Sequence, residues 1–247
     1  MLSIIVLTKN EEKNIIDCLI SASFADELLV IDDNSSDKTV AIAKKHKARV
    51  FRRALDGNFS MQRNFGLTNA KEDWVFFLDA DERISKSLQD ELLKTIKKNS
   101  NSGFFLKRQD IMWGKKIMHG EAGSIRLMRL GRKNAGKWEG DVHETWRIKE
   151  ATGELKNPIL HYPHQSVKSF LEKINMYTTL RAKELYQKGT KANFFTILLY
   201  PKAKFVYNYF IRLGFLDGTE GFIFAMLMSF HSFLVRGKLW LLWQKNK

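Results

Sequence analysis

The feature that most constrains the fold is a strongly apolar segment that ends abruptly in two carboxylates. Residues Trp74–Leu78 are all apolar, and Asp79-Ala80-Asp81 follows directly. Because an apolar run of aromatic and β-branched residues is typical of a buried strand, the segment predicts a strand with both faces covered. Side chains at positions i and i+2 of an extended chain point to the same side, so Asp79 and Asp81 are expected to face one site.

Two carboxylates held side by side repel each other unless a cation or a hydrogen-bond donor offsets their charge. Hard divalent cations such as Mg²⁺ and Mn²⁺ prefer carboxylate and phosphate oxygens. The pair Asp79 and Asp81 therefore predicts a site for a metal–diphosphate complex. A solvated acidic turn is the alternative interpretation, since the motif is so short.

Two earlier segments follow the same plan of an apolar strand that ends in polar residues. Ser3–Thr8 and Glu27–Ile31 are the strands, and apolar residues at helical spacing come after each. Strand-helix alternation with short connections predicts an α/β fold with a mostly parallel, Rossmann-like sheet and helices on both faces. Ligands bind at the carboxyl ends of such strands, where Asp33 has oxygens to accept from a pyrimidine N–H or a ribose hydroxyl. A helix-capping turn is the alternative for this segment.

The composition favours a lipid surface over nucleic acid as an anionic partner. The 247 residues carry a formal net charge of +14, and much of the surplus lies after Glu91, beside aromatic residues. No zinc-finger spacing or RNA-recognition motif supports nucleic acid.

The single cysteine, Cys18, excludes an intramolecular disulfide and is predicted to be buried, which fits a reducing compartment. Because Met1–Val6 has the pattern of a strand and not of a secretory leader, we expect a cytoplasmic location.

Three segments taken together, in this order and spacing, resemble the nucleotide-sugar domain of glycosyltransferase family 2. They are Val6–Glu11, Val30–Thr39 and Phe77–Glu82. The resemblance implies the GT-A fold, a nucleotide-sugar donor and an inverting reaction. The chain has neither Gly-x-Gly-x-x-Gly after its first strand nor a Walker A lysine motif, which agrees with this kind of nucleotide site.

By the same resemblance, individual residues acquire expected roles around the donor. Thr8, Asn10, Glu11 and Asp33 would line the nucleoside pocket, with Asp33 facing the base. Asp79 would meet the ribose and the metal, and Asp81 the metal itself. The family often places a basic residue near the base or the diphosphate, and the residues at that place in this chain are Gln62, Arg63 and Asn64.

A strand in the second half alternates apolar and basic residues. Ile125–Leu130 has the pattern of a half-buried strand and carries Arg126 and Arg129. Either arginine is a candidate for binding diphosphate oxygens. A solvated strand face is an equal alternative.

A second polar cluster, Gly140–Glu144, has no obvious packing role. Inverting transfer needs a base beside the acceptor hydroxyl, and a carboxylate within hydrogen-bond reach supplies one. The segment resembles a Val-His-Glu element in the lipopolysaccharide core branch of family 2. We therefore expect Glu144 to be the base or an acceptor ligand, with Asp141 second, and His143 to bind diphosphate, acceptor or metal. The alternative is that His143 and Glu144 only order the loop.

A further match to that branch runs from Asn157 to His164. In this segment His161 is a candidate for contact with the metal or the diphosphate, and a structural role is the alternative.

From Ser166 the pattern is helical. The apolar run Gly221–Val235 falls short of the ~20 residues that a membrane span needs. Trp240 and Trp243, beside lysines such as Lys238, match an interfacial membrane anchor. A helix hairpin packed on the catalytic domain or on another subunit is the alternative.

These observations combine into one prediction. Residues 1–165 are expected to form a GT-A catalytic domain, with 1–99 as its nucleotide-binding half and 100–165 as its acceptor half, followed by a helical region at 166–247. The resemblance implies a Mg²⁺- or Mn²⁺-dependent inverting transferase that moves a sugar from a UDP-sugar, with UDP-glucose one candidate, to an inner-core acceptor of lipopolysaccharide or lipooligosaccharide.

The expected location is peripheral, on the cytoplasmic face of the inner membrane, with no nucleic acid partner and with homo-oligomers allowed. The alternatives are a transferase for a polyprenyl-phosphate-linked acceptor and a non-catalytic membrane-associated protein that retains the fold. Asp33-Asn34 departs from the Ser-Gly often found in the branch, so the donor sugar is left open.

Overall fold

The computed structural model describes residues 1–98, 100–140, 144–163 and 166–245. The chain divides into two compact units. The first comprises Met1–Arg108 and Arg126–His161, and the second comprises Gln109–Ile125 and Tyr162–Lys247. The domain boundary expected at residue 165 stays a prediction.

The first unit is built on a parallel sheet of four strands in the order β3-β2-β1-β4. Every residue of the strand after Met1 is buried, which is typical of a parallel strand covered on both faces. The strands and the helices between them are β1 (Leu2–Thr8), α1 (Ile15–Ser21), β2 (Glu27–Asp32), α2 (Thr39–Lys45), β3 (Arg49–Arg52), α3 (Phe59–Asn69) and β4 (Trp74–Asp79).

Alternate residues of the central strands feed two separate hydrophobic cores, one on each side of the sheet. Ile4 and Phe76 belong to one core, and Ile5 and Phe77 belong to the other. This division follows from the period-2 alternation of side chains along a strand. The predicted α/β class is thus confirmed, and Cys18 is fully buried in the first core, as expected.

Antiparallel strands extend the sheet beyond β4, where β8 pairs with β4 and β6 pairs with β8. A separate two-stranded sheet is formed by β9 and β10. The elements are β5 (Glu82–Arg83), α4 (Lys86–Lys98), β6 (Gly103–Met112), β8 (Arg126–Arg132), β9 (Gly136–Glu139), β10 (Thr145–Ile148), β11 (Thr152–Glu154) and β12 (Ile159–His161), with β7 (Lys115–Ile117) in the second unit.

The second unit joins a hairpin to three helices. The hairpin of β6 and β7 turns at Trp113 and Gly114, both with positive φ. Its core includes Ile117, Phe170 and Phe224. The helices are α5 (Val167–Gln187), α6 (Phe194–Val206) and α7 (Gly218–Lys245).

A long helical segment at the end of the chain is apolar along most of its length. In the part of the chain that the structure describes, Gly214–Lys245 is the one segment long and apolar enough to cross a membrane, judged by length and composition only. A core helix of a soluble protein meets the same criterion, so this observation by itself assigns no membrane topology.

Candidate active site

The parallel strands bring the three sequence motifs to one edge of the sheet. In the register of the sheet, Thr8 lies opposite Asp32 and Leu7 lies opposite Asp79. Neighbouring strands are about 4.8 Å apart, so the polar residues that follow β1, β2 and β4 share one site. This placement is the one that the apolar runs and their acidic ends predict.

The loops after β1 and β2 hold each other through polar contacts. The Asn10 amide donates to Ser35 Oγ at 2.8 Å, and Asn10 Oδ1 accepts from the Ser36 amide at 2.8 Å. The Glu11 amide donates to Thr39 Oγ1 at 2.8 Å. Asn10 has a φ of 53°, a left-handed conformation that asparagine tolerates better than most residues. The two loops are therefore fixed as a pair.

Asp33 is the first residue after β2. Its Oδ2 lies 2.8 Å from Lys9 Nζ, and its Oδ1 accepts from the Leu55 amide at 2.8 Å. Next to it, the hydroxyl of Thr8 and Oδ1 of Asp32 are buried and have no hydrogen-bond partner among the described residues. Unpartnered buried polar atoms are costly, and these two point to a polar ligand at this edge.

At the end of β4 the Asp79 carboxylate lies between two arginines. Arg129 Nη2 donates to Asp79 Oδ2 at 2.6 Å and also to Glu82 Oε1 at 3.0 Å. Arg63 Nη2 donates to Asp79 Oδ1 at 3.2 Å. Arg129 and Glu82 are almost completely buried, whereas the Asp79 side chain is 34% exposed. One carboxylate of the pair predicted from the sequence is thus already neutralised by protein cations.

This arrangement shifts the ionisation of its members. Burial by itself would raise the pKa of the Asp79 carboxyl, but the guanidinium groups of Arg129 and Arg63 outweigh it and hold that pKa well below its usual range. Burial raises the pKa of Glu82, and the nearby Asp79 charge adds to the rise although Arg129 opposes it. Of the two carboxyls beside Arg129, Asp79 is therefore the stronger acid.

Arg63 also contacts Glu144, so it joins two parts of the site. Its Nε donates to Glu144 Oε1 at 2.8 Å, and both side chains are largely buried. The guanidinium carbon lies 4.7 Å from the ring centre of Trp138 and 5.4 Å from that of Phe77. Its Nη1 has no hydrogen-bond partner among the described residues. A buried donor of this kind is suited to an anionic oxygen of a ligand.

An aromatic cluster holds Arg63 in place. Trp138 on β9 and Trp146 on β10 stack at 5.5 Å, and each meets Phe77 of β4 edge-on. Asn64, next to Arg63 on α3, exchanges hydrogen bonds of 2.9 Å with both backbone groups of Trp138. The guanidinium consequently lies on a rigid ring surface, where a cation interacts favourably with the π face.

Asp81 lies beside His161. Strand β5 pairs with β12 so that Glu82 lies opposite His161, and this register brings His161 Nε2 to 3.4 Å from Asp81 Oδ2. A carboxylate oxygen and an imidazole nitrogen are both ligands of divalent metals, and the fit is that of a site completed by substrate phosphates and water. The described residues contain no cluster of three or more His, Cys, Asp or Glu around one point, so the protein side of such a site would be Asp81 and His161.

The other expected site residues are placed as follows. Gln62 is buried, and its Nε2 donates to the Arg53 carbonyl at 3.0 Å. Of the two arginines on β8, Arg129 reaches Asp79 and Glu82. Arg126 instead pairs with Glu154 and lies over the Phe105 ring. Asp141 and His143 lie outside the described residues.

Sequence reasoning missed three members of the site. The sequence motif includes Glu82 without indicating its role, which is that its Oε2 accepts from the Asp79 amide at 2.9 Å. Trp138 and Trp146 were given no role. Their positions between polar neighbours, in Lys137-Trp138-Glu139 and Thr145-Trp146-Arg147, indicate strands with one tryptophan directed inward and were the available signal.

The fold is that of the GT-A glycosyltransferases. Glucosyl-3-phosphoglycerate synthase from Mycobacterium tuberculosis, solved with Mn²⁺, UDP and phosphoglyceric acid, matches 78% of this chain and 80% of its own at a TM-score of 0.50 and 15% identity. The chain belongs to glycosyl transferase family 2, whose family model matches residues 3–152.

Two relatives are similar over nearly the whole chain. A glycosyltransferase of Rickettsia bellii is 30% identical, over 96% of this chain and 85% of its own length. The lipopolysaccharide core biosynthesis glycosyltransferase LpsC of Rhizobium meliloti is 26% identical, over 97% of this chain and 92% of its own. The family resemblance of the three strand-end motifs is thereby confirmed.

Proposed function

We propose that this family 2 transferase is metal-dependent and inverting, and that it moves a sugar from a UDP-sugar to an inner-core acceptor of lipopolysaccharide or lipooligosaccharide. The observation that carries the proposal is the bridge by Arg63 between Asp79 and Glu144. One rigid cation thus joins the acidic strand end of the donor side to a carboxylate with the chemistry of a base. LpsC and the UDP- and Mn²⁺-bound synthase support the acceptor, donor and metal classes.

The nucleoside of the donor is assigned to the edge formed by β1 and β2. Thr8, Asn10, Glu11 and Asp33 line this edge, and the unpartnered Thr8 hydroxyl gives it a free hydrogen-bonding group within the described chain. Asp79 is the partner of the ribose. Gln62 and Arg63 are neighbours on α3, and the Arg63 side chain, which contacts Asp79, has a spare Nη1 that is available to a diphosphate oxygen.

The metal is assigned to Asp81 and His161, with Asp79 beside them. A Mg²⁺ or Mn²⁺ ion bound there supplies a positive charge that offsets the charge developing on the leaving diphosphate. Because Asp79 already contacts Arg63 and Arg129, Asp81 is the carboxylate with the greater share in holding the ion.

The transfer step is assigned to Glu144, with Asp141 as the second candidate. The Glu144 carboxylate takes the proton of the acceptor hydroxyl while that oxygen bonds to the anomeric carbon from the face opposite the diphosphate. The bond between the anomeric carbon and the diphosphate oxygen breaks, and its electron pair stays on the diphosphate. Arg63 keeps Glu144 oriented, and the guanidinium groups of Arg63 and Arg129 favour negative charge at the donor.

The acceptor and the location follow from the relatives and from the basic, apolar tail. Inner-core glycolipids are amphiphiles, so a transferase that acts on them works peripherally at the cytoplasmic face of the inner membrane. A polyprenyl-phosphate-linked acceptor presents the same chemistry to the tail, and the assay has to separate the two.

The test is an assay with radiolabelled UDP-sugars, Mn²⁺ and two extracted acceptors, one a truncated lipooligosaccharide and one a polyprenyl-linked sugar. We expect label in the lipooligosaccharide and an inverted anomeric configuration in the product. Glu144→Gln and Asp141→Asn are assayed in parallel, and loss of transfer in the first but not the second assigns the base to Glu144. Transfer to neither acceptor with any UDP-sugar would contradict the proposal.

A further inference from the structure

Helix α6 is unusually apolar for a helix that lies at the surface. Its 13 residues include six large aliphatic or aromatic side chains before Pro201, and none of the described residues of α6 is buried. Phe194 is 70% exposed and Phe195 68%. A helix that is apolar on all sides normally lies in a protein core or in lipid. The part of the chain that the structure describes therefore does not supply the surroundings that suit α6.

The exposed apolar surface continues from α6 onto α7. A groove of about 440 Å³ runs between the two helices, and its lining is almost wholly apolar. The Ser229 hydroxyl donates to the Pro201 carbonyl at 2.8 Å and so joins the two helices at the groove. The residues that line the groove include Phe194, Leu198, Pro201, Met226, Phe230 and Phe233.

The charge around this surface is strongly positive. Between Lys188 and Lys245 the chain has eight basic residues and two acidic ones. Both acids have partners, since Asp217 accepts from the backbone at Met118 and His119, and Glu220 pairs with Lys115. Three of the eight basic residues have partners too, because Lys188 pairs with Glu184, Lys204 pairs with Glu121 and Lys238 contacts α5, and the remaining five keep the balance positive. An apolar surface flanked by cations complements a lipid leaflet with anionic headgroups.

Two of the residues expected to anchor the tail, Lys238 and Trp243, have other contacts. Lys238 Nζ donates to Asn175 and to the hydroxyls of Thr178 and Thr179, at 2.7–2.8 Å. Trp243 Nε1 donates to the Thr190 carbonyl at 2.7 Å. These side chains hold α7 to α5 and to the turn that follows α5, so they are poorly placed to reach lipid.

We propose that α6 and the facing side of α7 insert into the outer part of an anionic lipid leaflet, with hydrocarbon chains in the groove between them. The face is defined by Phe194, Phe195, Leu198, Leu199, Met226, Phe230 and Phe233 and is called the α6 face. The inference deepens the proposed function, since a lipid-linked acceptor is met at a membrane surface, but its test requires no sugar transfer.

The decisive experiment labels the α6 face with an environment-sensitive dye. The single native cysteine, Cys18, is fully buried, so a new surface cysteine reacts selectively. Leu199→Cys and Ile20→Cys are matched, because the side chains are 54% and 55% exposed, and Ile20 lies on α1 in the other unit. With vesicles of phosphatidylglycerol and phosphatidylethanolamine, we expect the dye at position 199 to enter an apolar environment and the dye at position 20 to stay in water.

Sedimentation with the same vesicles measures binding itself. Leu199→Asp is expected to lower the partition coefficient by about tenfold or more, because it replaces apolar contact with a charge, whereas Ile20→Asp leaves the coefficient unchanged. Vesicles of phosphatidylcholine alone should bind the wild-type protein several-fold less, since the headgroups carry no net charge. Circular dichroism and thermal unfolding establish that the variants are folded.

Two outcomes would overturn the inference. One is vesicle binding in which the dye at position 199 remains in water. The other is a lipid-independent dimer, measured by light scattering, that Leu199→Asp dissociates, which would assign the α6 face to a second copy of the chain. Failure of UDP binding in a protein that still inserts at position 199 would contradict the proposed function and leave this inference standing.

Discussion

Arg63 Nε donates to Glu144 Oε1 at 2.8 Å, and 81 positions of sequence separate the two residues. Through its Nη2 the same guanidinium contacts Asp79 at the end of β4. A residue of helix α3 thus fixes the distance between an acidic strand end and the residue that precedes β10. Any change at Arg63 alters both sides of the site together.

The first prediction concerns Glu144 as the base. Glu144→Gln retains an oxygen that accepts from Arg63 but cannot take up a proton at neutral pH. We expect turnover to fall by about 10²–10⁴-fold, with UDP affinity nearly unchanged. Transfer assays and calorimetric titration measure the two quantities. Glu139→Gln on β9, whose carboxylate is exposed and pairs with Arg147, is the control and should keep full activity. Turnover of Glu144→Gln near the wild-type value would remove Glu144 from this role.

The second prediction concerns the Arg63 bridge. Arg63→Lys keeps the charge but replaces a planar fork with a single ammonium group, which is not suited to contact Asp79 and Glu144 at once. We expect kcat to fall at least about tenfold and the free energy of unfolding to fall by about 1–3 kcal/mol, because buried carboxylate bonds are lost. Urea unfolding and steady-state kinetics measure both effects.

Arg147→Lys is the matched control for that change. Arg147 pairs with Glu139 at 3.7 Å, and both side chains are mostly exposed. Exposed ion pairs contribute little, so the control should change neither kcat nor the stability measurably. A loss of the same size in both variants would show that the Arg63 effect is general and does not depend on the bridge.

The third prediction concerns metal binding at Asp81 and His161. We expect His161→Gln to raise the Mn²⁺ concentration needed for half-maximal UDP binding by about tenfold or more, and Asp81→Asn to raise it further. Titration of UDP binding against Mn²⁺ gives these values. His46→Gln, at the end of α2, is the histidine control and should have no effect. An unchanged Mn²⁺ requirement in His161→Gln would assign His161 a structural role.

The fourth prediction concerns stability at the opposite end of the sheet. Glu27 is buried and accepts from Ser3 Oγ at 2.5 Å and from the Lys71 amide at 2.7 Å, and it pairs with Arg49. Burial alone would raise the pKa of Glu27, but these hydrogen bonds and the Arg49 charge lower it below the usual value. A lowered pKa in the folded state means that the carboxylate stabilises the fold above the pKa of the unfolded chain, about 4.3.

The stabilisation by Glu27 should therefore be complete at pH 7 and decline as the pH falls through the folded-state pKa. Glu27→Gln is expected to lower the free energy of unfolding by about 1–3 kcal/mol at pH 7, and the difference from wild type should shrink below about pH 4. Urea unfolding at both pH values measures it. A difference that is the same at pH 7 and pH 3.5 would refute the role of the charge.

The strand ends of the first unit could be predicted from the sequence because their signals are local. The apolar run Trp74–Leu78 and the acids after it are adjacent in the chain, and a parallel sheet places successive strand ends at one edge. The burial of Cys18 could be predicted as well.

The partners of those acids could not be predicted, since they depend on long-range register. Arg126 and Arg129 are three positions apart on β8, but a bulge that leaves Arg129 without a paired residue on β6 interrupts the strict alternation of the strand, and only one of the two arginines reaches Asp79. The pattern alone does not say which. The pairing of β5 with β12 that brings His161 to Asp81 is equally distant in the chain.

The tail illustrates the same limit. Its composition indicates contact with lipid, but composition does not tell which lysines and tryptophans are used for internal contacts. Lys238 and Trp243 contact residues of α5 and of the turn that follows it, and the most exposed of the apolar side chains in the proposed face, Phe194 and Phe195, lie on α6. Only the packing of the helices separates the two groups.

The most direct test of the donor site is calorimetric titration of the purified protein with UDP, with and without Mn²⁺, repeated with Asp81→Ala. We predict tight binding only when both Mn²⁺ and Asp81 are present. Binding of UDP that is equally strong without Mn²⁺ and in Asp81→Ala would contradict the metal–diphosphate site at the end of β4, and no binding of UDP under any condition would contradict the assignment of a UDP-sugar donor.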